Sequence, residues 1–452
     1  GPVEGAAARR MSFSPPDRPP PPAAPGQGPG SPAAGSPAKG DKCLGLIEGG
    51  HDSFRKGDYA GALEKWTEAC AIRKETLGEE HPDTAKLLNA IGNAYNKLGQ
   101  DRPALEFYKN ALEIREKVLG ADHPDTARAV SNCGIVQHKL GDFTRALELH
   151  KRSLAIGERS KALGPEHPDV ARTLCDMGDV FDDIGSYAEA ETCYRRALAI
   201  QKEALGPGHP DFGRALVSMG NVCMHRASYA KGHDFYKRGA QIQERTLGRE
   251  HPATALTLSN LGLACEKLGR AEEAAELHQQ ALQAQKKALG QAHPDVARTL
   301  SHLGQAREAR GDLEQAFECH DEAFRIRERA LGLEHADTAY TLGRLGAVCR
   351  RQEKYGKAMQ YFMLAYQMSE KCLGPGHLGT AVAAHNLGGA LHRQGELQEA
   401  MRHFQCAVEG LRRLDLAPGA QHPFLTHAQE SARKCGAALE ERQLQLAAAA
   451  VV

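Results

Sequence analysis

Residues 77–120 read LGEEHPDTAKLLNAIGNAYNKLGQDRPALEFYKNALEIREKVLG, and the rest of the chain is largely a variation on this stretch. Leu-Gly both opens and closes it. The dipeptide recurs at Leu77-Gly78, Leu119-Gly120, Leu163-Gly164, Leu205-Gly206, Leu247-Gly248, Leu289-Gly290, Leu331-Gly332 and Leu373-Gly374, which gives six intervals of 42 residues and one of 44. A histidine follows each pair, at His81, His123, His167, His209, His251, His293, His335 and His377, usually as His-Pro-Asp, and a ninth stands at His422. A second anchor is a glycine eleven residues after each of the first eight histidines: Gly92, Gly134, Gly178, Gly220, Gly262, Gly304, Gly346 and Gly388. Gly50 holds the same place in an earlier repeat that lacks the His-Pro entry. A fixed period of this size marks a stacked repeat architecture. The count is nine repeats, from about residue 42 to residue 414, and then a single closing helix.

Each repeat reads as two helices. Around Gly92, Leu88, Ile91, Tyr95 and Leu98 fall on one helical face, and Ala104, Leu105, Tyr108, Ala111, Leu112 and Ile114 repeat the pattern. Gly99, Gly141, Gly185 and Gly311 lie between the two helices and suit a left-handed C-terminal cap. The twelve prolines beyond residue 40 all fall at expected junctions or first turns, where the missing N–H costs nothing. His-Pro-Asp thus reads as a helix start, with proline in the first position and the acid in the positive first turn.

A glycine or alanine in the first helix with alanines in the second, where neighbours approach closely, resembles the tetratricopeptide repeat. The longer period and the LG-x-x-HPDTA junction resemble the repeats of kinesin light chains and nephrocystin-type proteins. The resemblance implies an all-α, right-handed α-solenoid of about nine helical hairpins. The expected layout is a disordered Pro/Gly/Ala-rich tail over residues 1–40, the array over 41–414, a capping helix over 415–446 and a short apolar tail over 447–452. The chain opens on Gly, so Met11 is a candidate start, and Arg9-Arg10-Met11-Ser12 resembles a basophilic kinase site. Two departures carry expectations. The 44-residue interval places two extra residues in the second helix of its repeat (residues 153–164), predicting a local bulge or an altered superhelical angle. Gly232 and Gly239 replace both small alanines of their repeat, predicting looser packing.

Composition narrows the function. In 452 residues, 57 Lys and Arg balance 57 Asp and Glu, so the whole molecule lacks the positive field of a general nucleic-acid binder. Aromatics make up only 5%, with one tryptophan, Trp66. The twelve cysteines form no CxxC pair and read as reduced thiols of a cytoplasmic protein, with cytoskeletal association implied by the resemblance. No apolar run approaches the roughly 18–20 residues of a membrane span. The repeated histidines are whole repeats apart and cannot share a metal, and no HExxH, P-loop or GxSxG motif occurs. The chain therefore reads as a non-catalytic protein with no cofactor and no metal.

Binding is the remaining use of such an array. In the resembled family, a stripe on the first helices lines a concave groove; it lies six and three residues before, and one, four and five after, each anchor glycine. Here it supplies Lys86, Asn89, Asn93, Arg128, Arg172, Arg214, Asn221 and Arg298, with Asn260 beside it. Asparagine both donates to and accepts from a peptide backbone, and arginine pairs with carboxylates in a fixed fork. The expected partners are other proteins, held through short, extended, acidic linear segments. Asp179, Asp182 and Asp183 reverse the sign and predict an acidic patch. Asn221, Asn260 and Arg298 also resemble part of the carboxylate clamp of tetratricopeptide co-chaperones, but Val217 and His302 stand where that pattern has cations. A purely structural spacer is the other alternative.

Overall fold

The computed structural model describes residues 37–414 and 422–449, and among them all regular structure is α-helical. The chain divides into two compact units between Ile242 and Gln243. The N-terminal unit contains α1 (Pro37–Arg55), α2 (Tyr59–Leu77), α3 (Pro82–Lys97), α4 (Asp101–Leu119), α5 (Pro124–Lys139), α6 (Phe143–Arg159), α7 (Pro168–Asp183), α8 (Tyr187–Ala204) and α9 (Pro210–His225). The division falls within α10 (Tyr229–Thr246). The C-terminal unit contains α11 (Pro252–Lys267), α12 (Ala271–Leu289), α13 (Pro294–Arg310), α14 (Leu313–Leu331), α15 (Ala336–Arg351), α16 (Tyr355–Leu373), α17 (Leu378–Gln394), α18 (Leu397–Arg412) and α19 (Pro423–Ala449). Within each unit, each first helix pairs with the second helix after it, and each second helix packs on the next hairpin.

Every first helix after α1 starts in the same way. The histidine is the N-cap, and its Nδ1 accepts the backbone N–H two residues on, at 3.2 Å for His81 and 3.1 Å for His123, His167 and His293. His422 caps α19 likewise, at 3.2 Å from Phe424 N. A neutral imidazole thus does what a serine or aspartate side chain does elsewhere, satisfying a donor the helix leaves free. Threonine three residues later ties the turn down: Thr84, Thr126 and Thr338 Oγ1 donate to the carbonyls of Gly78, Gly120 and Gly332 at 3.0, 2.9 and 2.9 Å.

Inside each hairpin the anchor glycine faces a ring sixteen residues later in the chain. A Cβ on Gly92 would sit 2.6 Å from Tyr108, on Gly134 2.7 Å from His150, on Gly178 2.7 Å from Tyr194, on Gly304 2.6 Å from His320 and on Gly346 2.7 Å from Phe362. Gly50 meets Trp66 in the same manner. Only a residue without a side chain lets the ring lie against the helix backbone. The rings are buried, as are the small residues around them, Ala104, Ala111, Ala190, Ala197, Ala316 and Ala323. The core is therefore a column of glycine–ring contacts within each unit, filled in by alanine and leucine.

Several expectations change. The two extra residues of the 44-residue interval do not enter a helix: α6 ends at Arg159, capped by Ser160, and the surplus lies in the turn before His167. A two-residue insertion would rotate a helical face by about 200°, whereas a loop absorbs it cheaply. Nor are the glycines of α10 loosely packed. A Cβ on Gly239 would lie 2.7 Å from Val217 Cγ2 and 3.1 Å from the Gly213 carbonyl, so the missing methyl lets α9 and α10 approach closely. Helix α1 begins at Pro37, inside the expected tail, and α19 runs to Ala449, past the expected end of the cap. The rest of the tail, the Ser12 site, residues 415–421 and residues 450–452 lie outside the described residues. Among the described residues, no proline interrupts a helix interior, and no helix is long and apolar enough to cross a membrane. All twelve cysteines are free thiols, and burial pushes Cys133 up to about 12, far from a reactive thiolate.

Candidate interaction surface

The cations of the stripe stand where sequence spacing puts them, six residues before each anchor glycine, but none is left alone. The acid of His-Pro-Asp lies one helical turn before each of them, a spacing at which side chains meet. Lys86 Nζ is 2.9 Å from Asp83, Arg128 is 3.1 Å from Asp125, Arg172 is 2.9 Å from Asp169 and Arg214 is 3.5 Å from Asp211. Arg298 pairs with Asp295 in the C-terminal unit. Arg128 also reaches the next repeat, 2.7 Å from Asp169, so this carboxylate sits between two guanidinium groups. Burial acts to raise the Asp169 carboxyl, but Arg172 and Arg128 outweigh it and hold the group below its ordinary range. The same balance, with Lys86 as the cation, lowers Asp83. The side chains of Lys86, Arg128 and Arg172 remain partly exposed, each paired with the aspartate of its own helix, and Arg128 is held by two carboxylates through all three of its nitrogens.

The amides serve partly within the array. Asn89 Oδ1 accepts from Asn132 Nδ2 of the next repeat at 2.8 Å. Asn93 Oδ1 accepts from the buried Tyr108 hydroxyl at 2.6 Å, and Asn221 Oδ1 from Tyr236 at 2.7 Å. These two asparagines follow their anchor glycines directly, and Asp179 holds the same place, accepting from Tyr194 at 2.5 Å. Where the ring is phenylalanine, the residue after the glycine is Ala347 or Gly389. The polar residue is thus present where the ring carries a hydroxyl. Asn260 is half-buried on α11 of the C-terminal unit with Arg298, whereas Asn221 belongs to the N-terminal unit.

The acidic residues of α7 are likewise engaged. Asp183 lies 2.7 Å from His138 Nε2 on α5, Asp182 is buried 2.8 Å from His225 Nδ1 on α9, and Asp179 also accepts from Ser218 at 3.4 Å. They form a bridge between successive first helices. Asp176, one turn before Asp179, accepts from Ser131 at 3.3 Å; burial pushes its carboxyl up to about 6, with Asp179 adding and Arg214 opposing.

Sequence reasoning missed the ring partners, although their constant distance of sixteen residues from the glycine is visible in the chain. It also missed Glu308 of α13. This nearly buried carboxylate lies 2.9 Å from His320 Nε2 and 2.6 Å from Arg344, and its backbone carbonyl accepts from Arg351 at 2.6 Å, joining consecutive repeats of the C-terminal unit.

The arrangement offers paired charges, amides and hydroxyls along the first helices. The tetratricopeptide repeat family pattern matches residues 50–117, 104–159, 158–203, 211–287, 295–371 and 360–413. Among solved structures, the chain is similar to BtubC (BKLC) from P. vanneervenii, at 20% identity and a TM-score of 0.45 over 52% of this chain and 91% of that one. It is similar to a putative kinesin light chain of nearly identical TPR-like repeats from Podosopora anserina, at 24% identity and a TM-score of 0.39 over 46% and 98%. A tetratricopeptide repeat protein from Parabacteroides merdae is 17% identical with a TM-score of 0.42 over 63% and 93%. No curated protein matches. With the family pattern covering most of its length and one hairpin per repeat, the chain belongs to the tetratricopeptide repeat family.

Proposed function

We propose that the chain is a non-catalytic adaptor that holds extended segments of partner proteins along the first helices of its N-terminal unit. The observation that carries this reading is the row Lys86, Arg128 and Arg172: one cation per repeat at the same helical position, each partly exposed. A periodic row on stacked helices matches the periodic side chains of an extended polypeptide, and such arrays present continuous binding surfaces. Each cation shares its charge with an aspartate of its own helix, so the row selects by geometry as well as by sign. A carboxylate on the bound segment competes with these resident aspartates, most strongly at Arg128, which two of them hold. We infer acidic segments over α3 and α5, with the partner proteins and the cytoplasmic or cytoskeletal setting following from the family's way of acting.

The test is a peptide display selection on the full chain, repeated on a Lys86→Ala, Arg128→Ala, Arg172→Ala variant whose helical content matches the parent. The variant is expected to bind the selected acidic peptides about tenfold more weakly, with a shallower salt dependence. Identical peptide sets and affinities for the two proteins would refute the reading.

A further inference from the structure

Repeats that align residue by residue let one position be followed along the array. Twenty-three residues after the anchor glycine, on the second helix, successive repeats carry Arg73, Arg115, Gly157, Gln201, Gln243, Gln285 and Arg327. In the N-terminal unit this place lies beside the stripe of cations. Arg115 Nη1, on α4, donates to the backbone carbonyl of Asp125 at 3.1 Å, and the carboxylate of the same Asp125 pairs with Arg128. Where the place holds Gly157, it lines a shallow cleft together with Arg128, Asp169 and Arg172.

The arginines at this place differ from the stripe in what holds them. Lys86, Arg128, Arg172 and Arg214 each face a carboxylate of their own helix. Arg115 is partly buried, and its hydrogen bond goes to a neutral carbonyl, while the buried Nε of Arg73 has no partner. Among the described residues neither arginine forms an ion pair. The balance of charge follows. Burial opposes the charge of Arg128, but Asp169 and Asp125 outweigh it and raise the pKa. Burial opposes the charge of Arg115 as well; Asp125 offsets this only in part, Arg128 adds to it, and the pKa falls. A guanidinium withdrawn from water without a carboxylate is costly, so an anion arriving from outside gains an attraction that no resident group has taken up. Three later repeats place glutamine here, so stacking does not require the charge.

We propose that Arg115, with Arg73 one repeat before it, is the cation that selects carboxylates on a bound segment, taking an acidic side chain that lies over α3 and α5 without displacing a resident aspartate. With Nη1 engaged on the Asp125 carbonyl, Nε and Nη2 remain as a parallel pair of donors, the fork that a carboxylate accepts. That the carboxylate belongs to an extended segment of a partner protein rests on the adaptor reading; the unpaired guanidinium does not.

The experiment titrates a fluorescein-labelled hexaglutamate peptide, and a hexaglutamine control, with the full chain and follows anisotropy at low salt. Hexaglutamate is expected to bind saturably and the control far more weakly. Arg115→Gln installs the residue native to the same place in α8, α10 and α12, and should weaken hexaglutamate binding about tenfold, the size of a charge-assisted pair. Arg128→Gln removes a cation already held by two carboxylates and should cost at most about threefold. Arg73→Gln is a second variant, with an expected loss of about fivefold. The absence of saturable hexaglutamate binding, equal binding of hexaglutamine, or a loss at Arg128 as large as at Arg115 would each overturn the proposal. So would a lowered urea midpoint in Arg115→Gln with unchanged hexaglutamate binding, the mark of a purely structural arginine. The display-selected peptides separate the two readings. If they bind the parent and Arg115→Gln chains alike, the assignment of Arg115 falls and the adaptor stands; if hexaglutamate binds through Arg115 and display captures no peptide, the assignment stands and the adaptor reading falls.

Discussion

Two glycines three residues apart in α15 should respond to the same substitution with opposite signs. At Gly343 a Cβ would meet nothing within 4 Å, whereas at Gly346 it would lie 2.7 Å from Phe362 Cδ1 and Cε1. Replacing glycine by alanine inside a helix gains about 1 kcal/mol at both sites, because less backbone freedom is lost on folding. At Gly346 this gain is opposed. The ring is buried with 1% of its surface exposed and rests near 1 Å inside ordinary carbon contact with the new methyl, so it must leave its rotamer or the hairpin must open. Overpacking of this kind costs about 1–3 kcal/mol, and the depth of the overlap places it in the upper part of that range. The expected outcome is about 1 kcal/mol of added stability for Gly343→Ala and a net loss of about 1–2 kcal/mol for Gly346→Ala. Urea unfolding followed by circular dichroism measures both. The two sites share one helix, so incomplete cooperativity along the array affects them alike, and their difference of about 2–3 kcal/mol is the robust quantity. A Gly346→Ala, Phe362→Leu double variant should recover part of the loss. Equal shifts of the same sign in the two single variants would refute the view that the ring dictates the glycine.

Two further outcomes follow from the same geometry. Burial, helped by His138, brings the His150 imidazole from 6.5 down to about 4, and its Nε2 has no partner. As pH falls through that window the unfolded chain takes up a proton that the folded one does not, so stability falls with falling pH, by about 2 kcal/mol at pH 5. His150→Phe, which places in this repeat the ring found at Phe362 and Phe404, should remove about that share of the loss between pH 7 and pH 5 in urea titrations; an unchanged loss would count against a neutral His150. Asp176, with its carboxyl raised to about 6, contributes in the opposite direction. Glu353 occupies the left-handed position between α15 and α16 at φ 61°, where Gly311 and Gly395 stand in neighbouring repeats. Glu353→Gly should therefore raise the thermal midpoint, by about 1 kcal/mol in stability, and a lower midpoint would contradict it.

The architecture was legible because its signals are periodic. Leu-Gly, His-Pro-Asp and the anchor glycine recur at constant distance, and each marks a place where physics allows few residues: a turn, a helix start, a close backbone approach. The ring partner escaped because its identity drifts through Trp66, Tyr108, His150 and Phe362; what is conserved along the chain is the sixteen-residue offset. The cations are legible in the sequence by position, but their ion pairs are not. Asp83, Asp125 and Asp169 read as first-turn acids for the helix dipole, and their second relation, one turn before a cation, decides how much charge the surface shows. The bulge expected in residues 153–164 failed because apolar spacing alone cannot tell a helix from the turn after it. Ser160 stops α6, and Pro165 follows too soon for the helix to resume.

The turn between Arg159 and His167 accommodates its surplus while α6 and α7 keep the phase of their counterparts elsewhere. At this junction, length is thus uncoupled from stacking. A fluorophore-bearing tag or a protease site grafted there would report on the hairpins that flank it, which makes this turn a natural handle for watching the array open.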